Sequence, residues 1–256
     1  MSDVHRSAAA GYSIAAADYA AGRPDYPPEI SSWLEAELGL SPAGKALDLG
    51  AGTGRFSARL EAFGAEVTAV EPVAAMREEF RRSLPHLKLL AGSATHIPAR
   101  DSSFDCVVCA QSFHWFASAR ALGEIRRVLK PGGALALVWN MRDESVAWVL
   151  ELARLLAPYE GETPSYRSGA WRGLFPAEGF GPLRERRFPH RHCGSAETVI
   201  LRRVLSTSFV AALPEAEREE IAARTRALIE ASPALAGRRE VCFPYVTVAY
   251  DCRKEG

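Results

Sequence analysis

At 256 residues the chain is long enough to bury one large α/β core, and it reads as one domain with an elaboration rather than as two domains. Lysine plus arginine number 31, as do aspartate plus glutamate, so no global field draws the protein to nucleic acid or to an anionic membrane, and a small-molecule partner is favoured. No apolar run reaches the length of a membrane span, the start Met1–Arg6 lacks the apolar core of a signal peptide, and the five cysteines are odd in number; together these predict reduced thiols and a cytoplasmic setting.

In chain order, Ser31–Leu38 has the pattern of a short amphipathic helix, broken by Pro42-Ala43-Gly44. Strand and helix then alternate. Strands are predicted at Ala46–Leu49, Glu66–Val70, Leu87–Ala91, Cys106–Ala110 and Ala134–Trp139, several of them continuously apolar, as strands covered on both faces should be. Helices are predicted at Arg55–Phe63, Val73–Ser83 and Ser118–Leu129, the last stopped by Pro131-Gly132-Gly133. This alternation predicts a doubly wound, mostly parallel sheet of Rossmann type, whose ligands bind at the carboxyl ends of the strands. Cys106-Val107-Val108-Cys109 has the outline of a redox or metal pair, but side chains three apart on a strand point to opposite faces.

Beyond Asn140 the alternation is lost. Ser145–Leu156 is predicted helical, Glu160–Trp171 loop, and Leu183–Phe188 a strand whose arginines Arg184, Arg186 and Arg187, with Arg191 beyond, mark a solvated edge. Helices at Ala196–Leu213 and Glu215–Ala231 precede a final strand at Val241–Cys252, so the architecture carries an antiparallel last strand with a helical insertion before it.

The most informative segment is Asp48-Leu49-Gly50-Ala51-Gly52-Thr53-Gly54, where an apolar strand runs into three alternate glycines and then a helix. Glycines there let the backbone turn sharply and let a nucleoside approach, with the first amides of the helix pointing at it. A dinucleotide loop would place its third glycine three residues after Gly52, where Arg55 stands. Asp48 also sits badly beside a pyrophosphate, whereas its carboxylate suits a ligand bearing an amine and a sulfonium. S-adenosylmethionine is such a ligand. About twenty residues after the first glycine, Glu71 closes the second strand with a carboxylate that can accept two hydroxyl hydrogen bonds in a fork.

Two further segments complete the pattern: Tyr19-Ala20-Ala21-Gly22-Arg23-Pro24-Asp25-Tyr26-Pro27 upstream, and Gln111-Ser112-Phe113-His114-Trp115-Phe116 after the fourth strand. With these, residues 15–142 resemble the class I S-adenosylmethionine-dependent methyltransferases (methyltransferase type 11), in particular the small-molecule group that includes trans-aconitate methyltransferase-like proteins. The resemblance implies a single methyltransferase domain, with 1–44 as an amino-terminal cap, 45–142 as the S-adenosylmethionine core and 143–256 as a substrate-side elaboration. It implies that Asp48, Gly50, Ala51, Gly52, Thr53, Gly54, Glu71 and Pro72 hold the cofactor, that Ser93 and Ala94 meet the adenine, and that Tyr19, Arg23 and Tyr26 enclose the methionine end. Asp101–Asp105 resembles the family's acidic turn, with a structural role.

Methyl transfer from a sulfonium requires alignment and exclusion of water, and no metal. For a hydroxyl acceptor His114 is the candidate base, since its ordinary pKa lies near neutrality; for a carboxylate acceptor it would only orient substrate, and a packed histidine beside Trp115 is the third possibility. Gln111 is read as a cofactor contact or a structural one, and Arg23 as a partner of the cofactor carboxylate or a surface salt bridge. Trp115, Arg142, Trp171 and Arg172 are candidates to meet the acceptor. The reading is therefore methyl transfer to an oxygen, or secondarily a nitrogen, of a small metabolite, with S-adenosylhomocysteine as product. A cofactor-binding module without turnover and an RNA methyltransferase are the alternatives, the latter opposed by Ala110-Gln111-Ser112-Phe113 where base-amino methylases carry an Asn/Asp-Pro-Pro-aromatic motif.

Overall fold

A computed structural model describes residues 23–161 and 164–255. Seven strands form one sheet in the order β3-β2-β1-β4-β5-β7-β6: β1 Lys45–Leu49, β2 Glu66–Val70, β3 Lys88–Leu90, β4 Phe104–Ala110, β5 Leu129–Arg142, β6 Arg184–Gly194 and β7 Val241–Arg253. The first five are mutually parallel, and β7 runs antiparallel to both neighbours. The expected doubly wound sheet with an antiparallel last strand is therefore present, and the helical insertion lies between β6 and β7.

Alternation along the buried strands sends side chains to two cores. On one face α1 (Glu29–Ala36) and α2 (Arg55–Phe63) place Ile30, Trp33, Leu34, Phe56 and Leu60 against Ala46, Cys106, Val108 and Ala136. On the other, α5 (Ala119–Val128) buries Ala121, Leu122, Ile125 and Val128 against Leu47, Val107, Cys109 and Leu135. Cys106 and Cys109 thus belong to opposite cores, as strand geometry requires. Ser118 starts α5 by accepting the Ala121 N–H at 3.2 Å. The remaining helix of the parallel half is α3 (Ala74–Ser83), and the four-residue α4 (Phe113–Phe116) follows β4 directly.

A third core joins α6 (Ala147–Glu160) to the insertion and to the start of β7, through Trp148, Leu152, Val199, Ile200, Val210, Ile221 and Phe243. Here the expected single helix at 196–213 is broken. Residues Glu197–Arg202 form a π-helical turn, Arg203–Leu205 (α7) and Ser208–Ala211 (α8) are short, and only Glu215–Ala231 (α9) runs as expected. The edge strand β6 extends to Gly194, and its arginines lie on the solvated side in ion pairs: Arg184 with Asp251 and Glu37, Arg186 with Glu37, Arg187 with Glu185. The expectation that all thiols are reduced fails at one pair. Cys193 and Cys242 sit directly opposite each other in the β6–β7 register and are joined as a disulfide, which removes the cysteine-based ground for expecting a reducing compartment. Among the described residues no helix is long and apolar enough to cross a membrane.

Candidate functional site

The sheet order reverses between β1 and β4, and a cavity opens there, over the carboxyl ends of β1, β2, β3, β4 and β5. Asp48 ends buried in β1, and its Oδ2 accepts the Ser57 hydroxyl at 2.7 Å. Its Oδ1 is buried with no hydrogen-bond partner, and the residue lines the cavity. Desolvation raises the Asp48 pKa to about 7, helped by the negative charge of Glu71. Glu71, also buried, closes β2, and each of its oxygens accepts one backbone N–H: Gly52 at 2.9 Å and Val73 at 2.8 Å. Burial raises its pKa against those hydrogen bonds and the nearby Arg77. Each oxygen keeps lone-pair capacity for a further donor.

The three glycines of the loop do different work. A Cβ on Gly52 would meet nothing within 4 Å, so this residue faces the open cavity. Gly54, at φ +90°, faces away: a Cβ there would lie 2.7 Å from Leu84 and 2.8 Å from Phe80. Expected to touch the cofactor, Gly54 instead permits close packing at the start of α2 and is absent from the cavity wall.

The other expected cofactor residues Arg23, Tyr26, Gly50, Ala51, Thr53, Pro72, Ser93, Ala94 and Gln111 all line this cavity. Tyr19 lies outside the described residues. Four hydrogen bonds tie down segment 23–26, whose Arg23, Pro24 and Tyr26 line the cavity: Arg59 donates to Asp25 Oδ2 and to the Tyr26 carbonyl, both at 2.8 Å; Asn140 Nδ2 donates to the Asp25 carbonyl at 3.2 Å; and Arg23 donates to the Ser206 carbonyl at 3.3 Å. Gln111 occupies the left-handed region at φ +58°, unusual for a long side chain, with its N–H on the Val138 carbonyl at 2.7 Å.

Gln111, Trp115, Arg23, Asn140 and Arg203 also line a second cavity, so the two chambers meet at these residues. The expected acceptor-side residues His114, Trp115, Arg142 and Trp171 all lie on its wall. Arg172 does not: it pairs with Glu185 and Tyr250 on the outer side of Trp171. His114 differs from the expectation of a near-neutral base. Its Nδ1 accepts the Trp139 indole N–H at 3.0 Å, which leaves the ring proton on Nε2, and burial lowers its pKa to about 3.

Sequence reasoning did not include Arg203 or Asn140 among the site residues. Arg203 is buried in the irregular insertion, where no motif points to it, and donates to Thr207 Oγ1 at 3.0 Å. Asn140 stands in the Trp139-Asn140-Met141 segment that closes β5; its position two residues before Arg142 was the available signal.

Residues 47–137 match the family model described as a methyltransferase domain. An uncharacterized methyltransferase-like protein of Schizosaccharomyces pombe is 40% identical over 240 residues, covering 93% of each chain. An uncharacterized methyltransferase of Mycobacterium tuberculosis is 36% identical over 248 residues, covering 97% of each. The chain belongs to the class I S-adenosylmethionine-dependent methyltransferases. A solved structure from Anaeromyxobacter dehalogenans, assigned as a type II methyltransferase, has the same fold at a TM-score of 0.67, with 24% identity, 91% of this chain and 97% of that one covered. In this methyltransferase the cavity beside Gly52 fits the cofactor on chemical grounds. It offers an orphaned buried carboxylate oxygen on Asp48 to a cation, and an open approach at the glycine loop.

Proposed function

We propose that this methyltransferase moves the methyl group of S-adenosylmethionine to a carboxylate oxygen of a small metabolite bound in the second cavity. The observation that carries this reading is Arg142. Arg142 lines that cavity, burial lowers its pKa against the pull of Tyr245 and Glu160, and its side chain forms no hydrogen bond or ion pair among the described residues. A guanidinium so placed is a ready fork for a carboxylate.

Bound S-adenosylmethionine supplies a methyl group already activated on a sulfonium. Asp48 Oδ1 would offer its lone pairs to the cofactor's ammonium, Glu71 would accept the ribose hydroxyls beside its two backbone N–H bonds, and Ser93 and Ala94 would border the adenine. Gln111 and Arg23 stand where the chambers meet and orient the two reactants. His114, neutral and with Nδ1 engaged, serves as an Nε2–H donor and not as a base. An acceptor with pKa near 4.3 arrives ionised at neutral pH and needs no proton removed, whereas a hydroxyl would. Segment 23–26 and the aromatic wall keep water from the reacting atoms.

The test uses labelled S-adenosylmethionine with a fraction of small cellular metabolites, followed by mild alkali. A methyl ester hydrolyses, so the label is expected to leave as methanol. Label that survives alkali is on an ether oxygen or a nitrogen and overturns the carboxylate reading.

A further inference from the structure

The wall of the second cavity restricts the acceptor beyond its reacting oxygen. Its foundation is a stack of rings: Trp139 and Trp171 have centroids 4.8 Å apart, Tyr166 lies 5.1 Å from Trp139, and Tyr250 lies 5.0 Å from Trp171. The polar handles of these rings are consumed inside the protein. Trp139 Nε1–H donates to His114, Trp171 Nε1–H donates to the Tyr166 carbonyl at 3.3 Å, and the Tyr166 and Tyr250 hydroxyls share one hydrogen bond of 2.9 Å. From the outside, the Arg172 guanidinium sits 5.2 Å from the Trp171 centroid and 4.9 Å from that of Tyr250, holding the stack in place. In front of it the half-buried Met141, Tyr166, Leu174 and Phe209 present carbon to the cavity.

The polar groups around this surface are also largely engaged. Asn140 donates to the Asp25 carbonyl and accepts the Thr247 hydroxyl at 2.6 Å. Arg23 donates to the Ser206 carbonyl, Arg203 to Thr207, and Arg167 is paired with Glu144. Arg142 is the lining arginine that has no such partner among the described residues. Arg142, which interacts electrostatically with Tyr245 and Glu160, thus lines the same cavity as this ring and alkyl carbon.

We infer that the acceptor is a monocarboxylate with an apolar body, its carboxylate on Arg142 and its body against the Met141–Tyr166–Phe209 surface. This rests on the carboxylate reading above and names Arg142 as the residue that selects the charge. The further anionic groups of a polycarboxylate would be pressed against this carbon, with the desolvation cost that follows.

The test is calorimetric titration of the full chain, saturated with S-adenosylhomocysteine, with 3-phenylpropionate, its neutral counterpart 3-phenylpropanol, succinate and citrate. Phenylpropionate is expected to bind at least about tenfold more tightly than each of the other three, the scale of one charge-assisted hydrogen-bonded pair or one buried ring. Arg142→Gln is expected to bring phenylpropionate down to the affinity of phenylpropanol, and Arg142→Lys to restore part of the difference, while both variants keep their affinity for S-adenosylhomocysteine as evidence of folding. If succinate or citrate binds as tightly as phenylpropionate, or if phenylpropionate does not bind, the apolar body is wrong and the carboxylate reading stands on its own test. If phenylpropanol matches phenylpropionate, or Arg142→Gln changes nothing, the carboxylate assignment to this cavity falls with it.

Discussion

Asp48 carries the strongest electrostatic conflict of the cofactor cavity, a carboxyl with no exposure, one oxygen unpartnered, and Glu71 as a like-charged neighbour. Its pKa is raised in the folded state, so the stability it contributes is fully present below its ordinary value near 3.8 and is lost as pH rises through about 7. The ligand-free enzyme should therefore become less stable between about pH 4 and 7 and level off above. A bound ammonium reverses the preference, because it favours the ionised form. S-adenosylhomocysteine affinity should strengthen as pH rises toward about 7 and level off above it. Asp48→Asn should flatten both dependences, stabilise the ligand-free protein at pH 8 and weaken the ligand. Denaturant melts and calorimetry across pH check this, and an unchanged pH profile in the variant would remove Asp48 from the role. Asp48 and Glu71 were legible in the sequence because a strand-end acid at a fixed distance from a glycine loop is a local pattern. The state of His114 was not: its lowered pKa comes from burial and from the charge of Arg23, and its tautomer from Trp139, twenty-five residues away, and none of these is written in the Gln111–Phe116 segment.

Among the elements, those with one dominant signal were read to the residue, such as Arg55–Phe63 between Gly54 and Gly64, and Glu215–Ala231 with its acidic first turn. The stretch 196–213 was read as a single helix because its apolar spacing and propensity are continuous; its break is imposed from outside. The Ser206 carbonyl accepts from Arg23, and Thr207 Oγ1 accepts from Arg203 while donating back to the Arg203 carbonyl at 3.3 Å. Such π turns and short helices often re-aim a side chain at a functional site, and here the result is a buried Arg203 where the two chambers meet. Thr207→Val keeps the side-chain shape and removes the hydroxyl that steadies this guanidinium. It should raise the acceptor KM by roughly tenfold, the scale of one hydrogen bond to a charged group. The cofactor Kd should change little. Steady-state kinetics with each substrate varied separately make the comparison; an equal effect on both constants would mean that the insertion supports the cavity as a whole and does not aim Arg203.

At the scale of the molecule, the cofactor cavity is assembled from parts far apart in sequence: segment 23–26, the loops after β1, β2, β3 and β4, Asn140 of β5, and Arg203 from the insertion. The alternation of strands and helices made the sheet legible, because each parallel strand buried on both faces leaves a continuous apolar run. The carboxy-terminal half was less legible, since its core couples α6, the insertion and β7 through contacts such as Trp148 on Phe243 at 4.8 Å, which no local periodicity encodes. This assembly predicts how the folded state responds to ligand. A molecule that bridges the β1 loop, the end of β2 and segment 23–26 binds only when all three are in place, so its binding free energy adds to global stability. At a hundredfold excess over Kd, S-adenosylhomocysteine should stabilise the protein by about 2.7 kcal/mol. For a domain of this size that corresponds to a rise in Tm of about 5–10 °C. NAD should give no shift, because Arg55 stands where its loop needs a glycine and Asp48 faces the place of its pyrophosphate. Thermal melts with each ligand provide the measurement, and stabilisation by NAD in place of S-adenosylhomocysteine would overturn the assignment of this cavity. Replacing Arg59 by alanine, which frees Asp25 and the Tyr26 carbonyl from α2, should reduce the ligand-induced rise, since part of the bridge would then have to be ordered by the ligand itself.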